Sequence, residues 1–198
     1  MRKITATEFL NMLGKNLSVF QHWDTPLEIT DYVDCSDSQI KYLSKHLIFS
    51  GRNTAGDAAD FTNCKQLEIA TGTFQGFVGF SASGVKKIEN LTVTTNKSEW
   101  SASFSYCKHL QIATGNYAKF VNFFESGIHL IHNLHIEKTN KEDSYTNCWN
   151  CPNLHTLEGW NLSKKIDIEP EKLEAEIKRR KSWKTFIETT NPEALPFL

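Results

Sequence analysis

Apolar positions along the chain recur in a four-point spacing, φ-xx-φ-xx-Leu-x-φ. Phe61-xx-Cys64-xx-Leu67-x-Ile69 is followed by Val85-xx-Ile88-xx-Leu91-x-Val93, then Phe104-xx-Cys107-xx-Leu110-x-Ile112 and Ile128-xx-Ile131-xx-Leu134-x-Ile136. Cys148-xx-Cys151-xx-Leu154-x-Thr156 is a weaker copy, and Ile40-xx-Leu43 with Leu47-x-Phe49 fits after one inserted residue. The Leu-x-φ pair has period two and predicts a short strand with both side chains inward. The φ-xx-φ segment before it predicts a turn that adds two core residues. Gly72, Gly115 and Gly159 follow the motif leucines at one fixed distance, where a strand-to-bend corner asks for a glycine. About six coils result, long ones carrying Phe/Cys alternating with short ones carrying Val/Ile. The pattern sits inside a larger duplication: residues 59–93 align without a gap on 102–136. One coil cannot bury its own apolar face, whereas stacked coils share a continuous core and pair their strands in parallel.

The flanks have a different pattern. Thr5-x-x-Glu8 is a capping box ahead of Phe9, Leu10, Met12 and Leu13 and predicts a helix over 6–13, with Gly14 as its stop. Val19 to Val33 lead into the first coil. After Trp160, Pro170 and the stretch Glu171–Glu188 predict an amphipathic helix with Leu173, Ile177, Trp183 and Ile187 near one face. The expected organisation is an N-terminal cap and lead-in over 1–34, a repeat solenoid over 35–160, and a C-terminal capping helix and tail over 161–198.

The unit resembles the leucine-rich repeat, Leu-xx-Leu-xx-Leu-x-Leu-xx-Asn, and its Phe-xx-Cys-xx-Leu-x-Ile form is most similar to the irregular BspA-like bacterial variety. The resemblance covers roughly Ile40 to Gly159. It departs where glycine, or Thr139 in one short coil, replaces the repeat's asparagine, and where the long coils insert Phe74–Phe80 and Tyr117–Phe124. The second insertion fits a further extended segment behind or beside the sheet, so a short right-handed β-helix with more than one strand per coil competes with the leucine-rich-repeat form. Either way the fold class is a mainly β, parallel-sheet solenoid. The resemblance implies a bacterial, phage or mobile-element setting and a ligand surface on the strand face.

Side chains flanking the inward Leu-x-φ pair point outward. The middle outward position holds Glu68, Thr92, Gln111, His135 and His155; the one before it holds Asn90, His109, Asn133 and Asn153; Glu137 follows. These ten are the candidate binding residues. His135 and His155 are expected to be neighbours on adjacent strands. Cys148-xx-Cys151-xxx-His155 has apparent zinc donors, but Cys151 occupies an inward slot and His155 an outward one, so no metal site is expected. The aromatics of the insertions, Phe74, Phe77, Phe80, Tyr117, Phe120 and Phe123, recur at the same places in both copies and are expected to fill the core.

Charge adds little. Lys plus Arg number 22 against 23 Asp plus Glu, a net charge of −1, so no polyanionic partner is indicated. The basic run 178–181 lies beside glutamates on the C-terminal helix and reads as a solvated face, which makes nucleic acid an unlikely partner. The basic N-terminus lacks an apolar h-region and no run reaches the length of a membrane span, so a cytoplasmic chain, or one exported without a Sec signal peptide, is expected, with no membrane partner. Five cysteines, an odd number, fit reduced thiols. No G-x-S-x-G elbow, Walker loop or HExxH occurs. The expected function is a non-catalytic, cofactor-free protein-binding module of effector, inhibitor or immunity type. The alternative is a carbohydrate-binding or carbohydrate-cleaving β-helix.

Overall fold

The computed structural model describes residues 1–94, 100–137, 146–158 and 166–168, with 170, 171, 174, 175 and 178 as single positions. The chain opens with β1 (Arg2–Ile4), α1 (Ala6–Lys15), β2 (Leu27–Ile29), β3 (Val33–Asp34), β4 (Leu47–Phe49) and β5 (Asp57–Asp60). The repeat region follows with β6 (Ile69–Ala70), β7 (Thr73–Phe74), β8 (Phe77–Gly79), β9 (Lys87–Val93), β10 (Trp100–Ser103), β11 (Ile112–Tyr117), β12 (Phe120–Asn122) and β13 (Leu130–Ile136). The last strands are β14 (Thr146–Asn147), β15 (Thr156–Glu158) and β16 (Ile166–Asp167).

These strands form two parallel sheets. The first runs β1-β2-β4-β7-β9-β11-β13-β15, with β6 also pairing β9; the second runs β3-β5-β8-β10-β12-β14-β16. From β2 onward the chain visits the sheets in turn. Each visit pairs in parallel with the one before, so the molecule is mainly β with parallel sheets. The insertions in the long coils supply second-sheet strands: β8 lies in the first and β12 in the second.

The core shows which residues are equivalent from coil to coil. In the first sheet Ile4, Ile29, Phe49, Phe74, Val93, Tyr117 and Ile136 fall in one register column, all buried. After each second-sheet strand a second column follows: Phe61 stacks on Phe80 at 5.3 Å, Phe80 on Phe104 at 5.2 Å, and Phe104 on Phe123 at 5.4 Å. This corrects the phase read from sequence. Phe61 lies beside Phe80, not Val85, and each coil carries the tetrapeptide Phe/Cys-x-x-Cys/Ser: 35–38, 61–64, 80–83, 104–107, 123–126 and 148–151. The third residue of every one has φ between 53° and 65°, in Asp37, Asn63, Ala82, Tyr106, Glu125 and Asn150. The left-handed residue turns the chain out of the second sheet. The fourth points inward and makes a column in which serine and cysteine alternate. Within it Ser38 Oγ lies 3.4 Å from Cys64 Sγ, Ser83 Oγ 3.5 Å from Cys107 Sγ, and Ser126 Oγ 3.5 Å from Cys151 Sγ. The cysteine thiols donate to the carbonyls of Cys35, Phe80 and Phe123 at 2.9–3.0 Å. Cys64, Cys107 and Cys151 are buried core residues, as their inward slot implied.

The inward Leu-x-φ pair holds at Leu47 and Phe49 and in the short coils, where Leu91, Val93, Leu134 and Ile136 are all buried. In the long coils Ala70 and Ala113 point inward, while Ile69 and Ile112 are half-buried on the outer side. The short coils accommodate the mismatch with a bulge. Ala113 pairs with Ile88 and Gly115 with Leu91, so one residue of β11 opposes two of β9, and the same shift recurs against β13. Gly115, at φ 143°, is required there, because a Cβ would run into the Leu91 carbonyl. Of the aromatic insertions, Phe74, Phe80, Tyr117 and Phe123 fill the core as expected; Phe120 is buried outside that core, against Trp100, and Phe77 is half-buried on the outer side of β8.

Helix α1 forms where the capping box predicted it. Glu8 N donates to Thr5 Oγ1 and Thr5 N donates to Glu8 Oε2 at 2.8 Å, which holds the Glu8 carboxyl below its usual range. Gly14 does not stop the helix. It lies in the last turn, which ends at Lys15, with Asn16 N donating to Met12 O. Phe9 stacks on Phe20 at 4.8 Å and meets Phe49 edge-on at 5.6 Å, so α1 packs on the core through Phe9 and Leu13. The amphipathic helix expected over Glu171–Glu188 and the tail lie outside the described residues, apart from helical positions at 170, 171, 174, 175 and 178.

Candidate functional site

The outer face of the first sheet is a set of parallel rows fixed by backbone pairing. The lead-in row, just before the strands, holds Lys41, Glu68, Lys86, Gln111, His129 and His155. Glu68 N donates to Lys41 O, Lys86 N to Glu68 O, Gln111 N to Lys86 O, His129 N to Gln111 O and His155 N to His129 O. The next row is Tyr42, Ile69, Lys87, Ile112, Leu130 and Thr156. Tyr42, Ile69, Ile112, Leu130 and Thr156 are half-buried, and only Lys87 is exposed. Beyond the bulge comes Lys3, Glu28, Ile48, Thr73, Thr92, Asn116 and His135.

The ten residues expected to form one surface therefore divide. Glu68, Gln111 and His155 share the lead-in row, separated by Lys86 and His129. Thr92 and His135 share the far row, with Asn116 between them. His135 does not neighbour His155: the partner of His155 is His129, ring centroids 5.8 Å apart and edge-on. The cause is the phase difference between long and short coils. It sets Gln111 at the turn before β11 and leaves Asn116 as the long-coil counterpart of Thr92 and His135. Asn90 and Asn133, at φ 49° and 46°, are the bulge residues. The Asn90 amide donates to Thr114 Oγ1 at 2.7 Å, and the Asn133 side-chain amide lies 2.9 Å from His132 Nε2. Both asparagines are exposed, and both occupy a left-handed conformation that asparagine tolerates better than most residues. His109 and Asn153 are exposed on the corner between the sheets, on alternate coils. Glu137 lies just past β13, its amide donating to Tyr117 O at 2.8 Å.

Electrostatic coupling on this face is modest. Lys86 Nζ lies 3.4 Å from Glu68 with both side chains about half exposed, a pair worth about 0–1 kcal/mol. Lys3 Nζ lies 3.0 Å from Glu28, and that bond, with one from Ser50, holds the Glu28 carboxyl below its usual range. His155 Nδ1 is 2.8 Å from Thr156 Oγ1. Among the described residues no three His, Cys, Asp or Glu side chains converge on a point able to hold a metal ion. Cys148 and Cys151 are buried, whereas His155 is exposed. Desolvation pushes the Cys107 thiol up to about 11 and also raises Cys35 and Cys64, the opposite of an activated nucleophile.

Sequence reasoning missed Ile112, Asn116, His129 and Leu130 on this face. The Phe/Cys-x-x-Cys/Ser tetrapeptide was the available signal, since counting forward from it aligns Thr92, Asn116 and His135. Comparison with protein-family models, curated proteins and solved structures finds no match. No helix among the described residues is long and apolar enough to cross a membrane.

Proposed function

We propose that the chain is a small solenoid of the β-helix type, capped by α1 at its N-terminal end, that binds a partner protein through the outer face of the first sheet. The observation that carries this reading is the row of half-buried Tyr42, Ile69, Ile112 and Leu130, interrupted by the exposed Lys87 and flanked by rows of charged, amide and imidazole side chains. An apolar strip with a polar rim is the anatomy of a protein interface. At a ladder spacing of about 4.8 Å the strip from Tyr42 to Leu130 is about 19 Å long. That is enough for a small interface, with the corner residues His109 and Asn153 enlarging it. The likeness of the unit to leucine-rich repeats supports the same strand face and a protein ligand. Recognition without bond chemistry suits an effector, an inhibitor or an immunity-type protein working in the cytoplasm or after export without a Sec signal, in a bacterium or its mobile elements.

The test is a photo-crosslinking amino acid placed at Asn116, between Thr92 and His135. The reading expects one protein to crosslink and co-purify in stoichiometric amount, and His135→Ala with Gln111→Ala to weaken it while the unfolding midpoint stays unchanged. A partner that crosslinks equally from the second sheet, or is indifferent to both substitutions, contradicts it.

A further inference from the structure

We propose that the outer face of the second sheet, from β10 to the turn after β14, binds a neutral glycan chain. Five large apolar side chains among the described residues stay well exposed. Met1 and Leu10 lie at the N-terminal end, but Trp100 (43%), Tyr106 (47%) and Trp149 (40%) all fall on this one face. Concentrated exposed aromatics mark a binding surface where scattered ones do not. Two of them are also braced. Trp100 lies edge-on to Phe120 at 4.6 Å, and Tyr106 edge-on to Phe124 at 5.7 Å. Trp149 follows Phe124 in the next coil, its carbonyl accepting the Glu125 amide at 3.0 Å. Rings already held in place lose little freedom when a ligand stacks on them.

Between Trp100 on one side and Tyr106, Phe124 and Trp149 on the other runs a polar row, Ser103–Asn122–Asn147. Ser81, Ser103 and Ser105 share hydroxyl hydrogen bonds of 2.9–3.1 Å. Asn122 and Asn147 are oriented by accepting the amides of Phe124 and Trp149 through Oδ1, at 3.0 and 2.9 Å. Ser103 and Asn122 are themselves buried, at 6% and 8%, so they form an uncharged polar floor under this face, and the half-buried Asn147 beside Trp149 is the member of the row open to a ligand. Aromatic faces take the C–H faces of a sugar, and the Asn147 amide beside Trp149 can exchange hydrogen bonds with its hydroxyls.

Charge separates a glycan from other occupants. The same row continues through Gly79 to Asp60 and Asp34, so its charged members are carboxylates. Lys108, 5.8 Å from the Tyr106 ring centre, is already paired with Glu125 at 3.5 Å. A polyanion is repelled by the carboxylates and finds no unpaired cation in this row; a neutral hydroxylated chain is complementary to it. The site lies on the sheet opposite to the proposed protein-binding face, so either can fail without the other.

The test is native affinity electrophoresis through gels containing laminarin, mannan, xylan or galactan, with dextran sulfate as the anionic probe. At least one neutral polysaccharide should retard the protein. Trp149→Ala and Tyr106→Ala should each weaken that retardation about tenfold, the loss of one aromatic anchor, and Trp149→Phe should restore most of it. Asn11→Ala, on the exposed side of α1, should leave it unchanged, and urea midpoints verify that every variant is folded. Retardation by dextran sulfate alone, by none of the probes, or to the same extent in Trp149→Ala overturns the proposal.

Discussion

Replacing Phe104 by alanine should cripple the molecule. Its ring is fully buried between Phe80 at 5.2 Å and Phe123 at 5.4 Å, with interplanar angles of 7° and 16°. Truncating a buried phenylalanine costs about 3–5 kcal/mol in lost transfer free energy and residual cavity. The backbone on both sides is held by parallel pairing, so the column has little freedom to collapse into the gap, which favours the upper end. A domain of this size is stable by about 5–15 kcal/mol, so F104A removes a large share of the total. With a urea slope of about 2 kcal/mol per molar, the midpoint should fall by about 2 M, read in parallel by tryptophan fluorescence and far-UV circular dichroism. Phe104→Leu, which keeps most of the volume, should cost about 1.5 kcal/mol. A double-mutant cycle of Phe80→Leu with Phe104→Leu should show a coupling of about 0.5–1.5 kcal/mol from the stacked pair. A midpoint shift under about 0.5 M for F104A at unchanged slope, or no coupling to Phe80, refutes the stacked column.

The Tyr117 hydroxyl is buried and has no hydrogen-bond partner among the described residues, and desolvation pushes its ionisation well above the ordinary phenol range. Tyr117→Phe should therefore stabilise the fold by about 1 kcal/mol in a thermal or urea melt, and a loss of stability would show that the hydroxyl is satisfied. Ala82 sits at φ 55°, so Ala82→Gly should gain up to about 1 kcal/mol, while the same change at Ala113, buried in regular strand, should destabilise. All five cysteines are buried, and the Cys107 thiol is raised to about 11. Native protein at pH 8 should leave Cys107 unlabelled by a thiol reagent while guanidinium exposes all five; fast native labelling of Cys107 would contradict its place in the core. The sign follows from burial: the raised value keeps the thiol protonated and unreactive until the pH approaches it.

The repeat was legible because buried positions of stacked coils must recur, and Leu91, Val93, Leu134 and Ile136 point inward as their spacing requires. The helix was legible because Thr5 and Glu8 are a local signal that needs no tertiary context. The phase between long and short coils was not legible from four apolar points alone. Spacing φ-xx-φ describes a corner in one coil and a bulged strand in the other, and Ile69 and Val93 look alike to a hydropathy pattern. The serine column escaped notice for a related reason: a hydrophobic pattern does not score Ser83 and Ser126, although they occupy the same inward slot as Cys107. Consequently the predicted surface kept the right sheet for Thr92 and His135 but paired His135 with the wrong histidine. Of the second-sheet aromatics, Trp100 lay outside the four-point unit and Trp149 at one of its unspecified positions, so nothing in that unit marked them as a surface.

The coil register underlies every row assigned to both faces, and ring-to-ring nuclear Overhauser effects on selectively labelled phenylalanine test it most directly. The structure predicts an unbroken chain of contacts from Phe61 to Phe80 to Phe104 to Phe123, with Phe49 to Phe74 in the other column at 4.6 Å. Absence of the Phe80–Phe104 contact, with Phe61 instead beside Val85 and Phe104 beside Ile128, would restore the register read from the four-point unit and overturn the rows on both sheets.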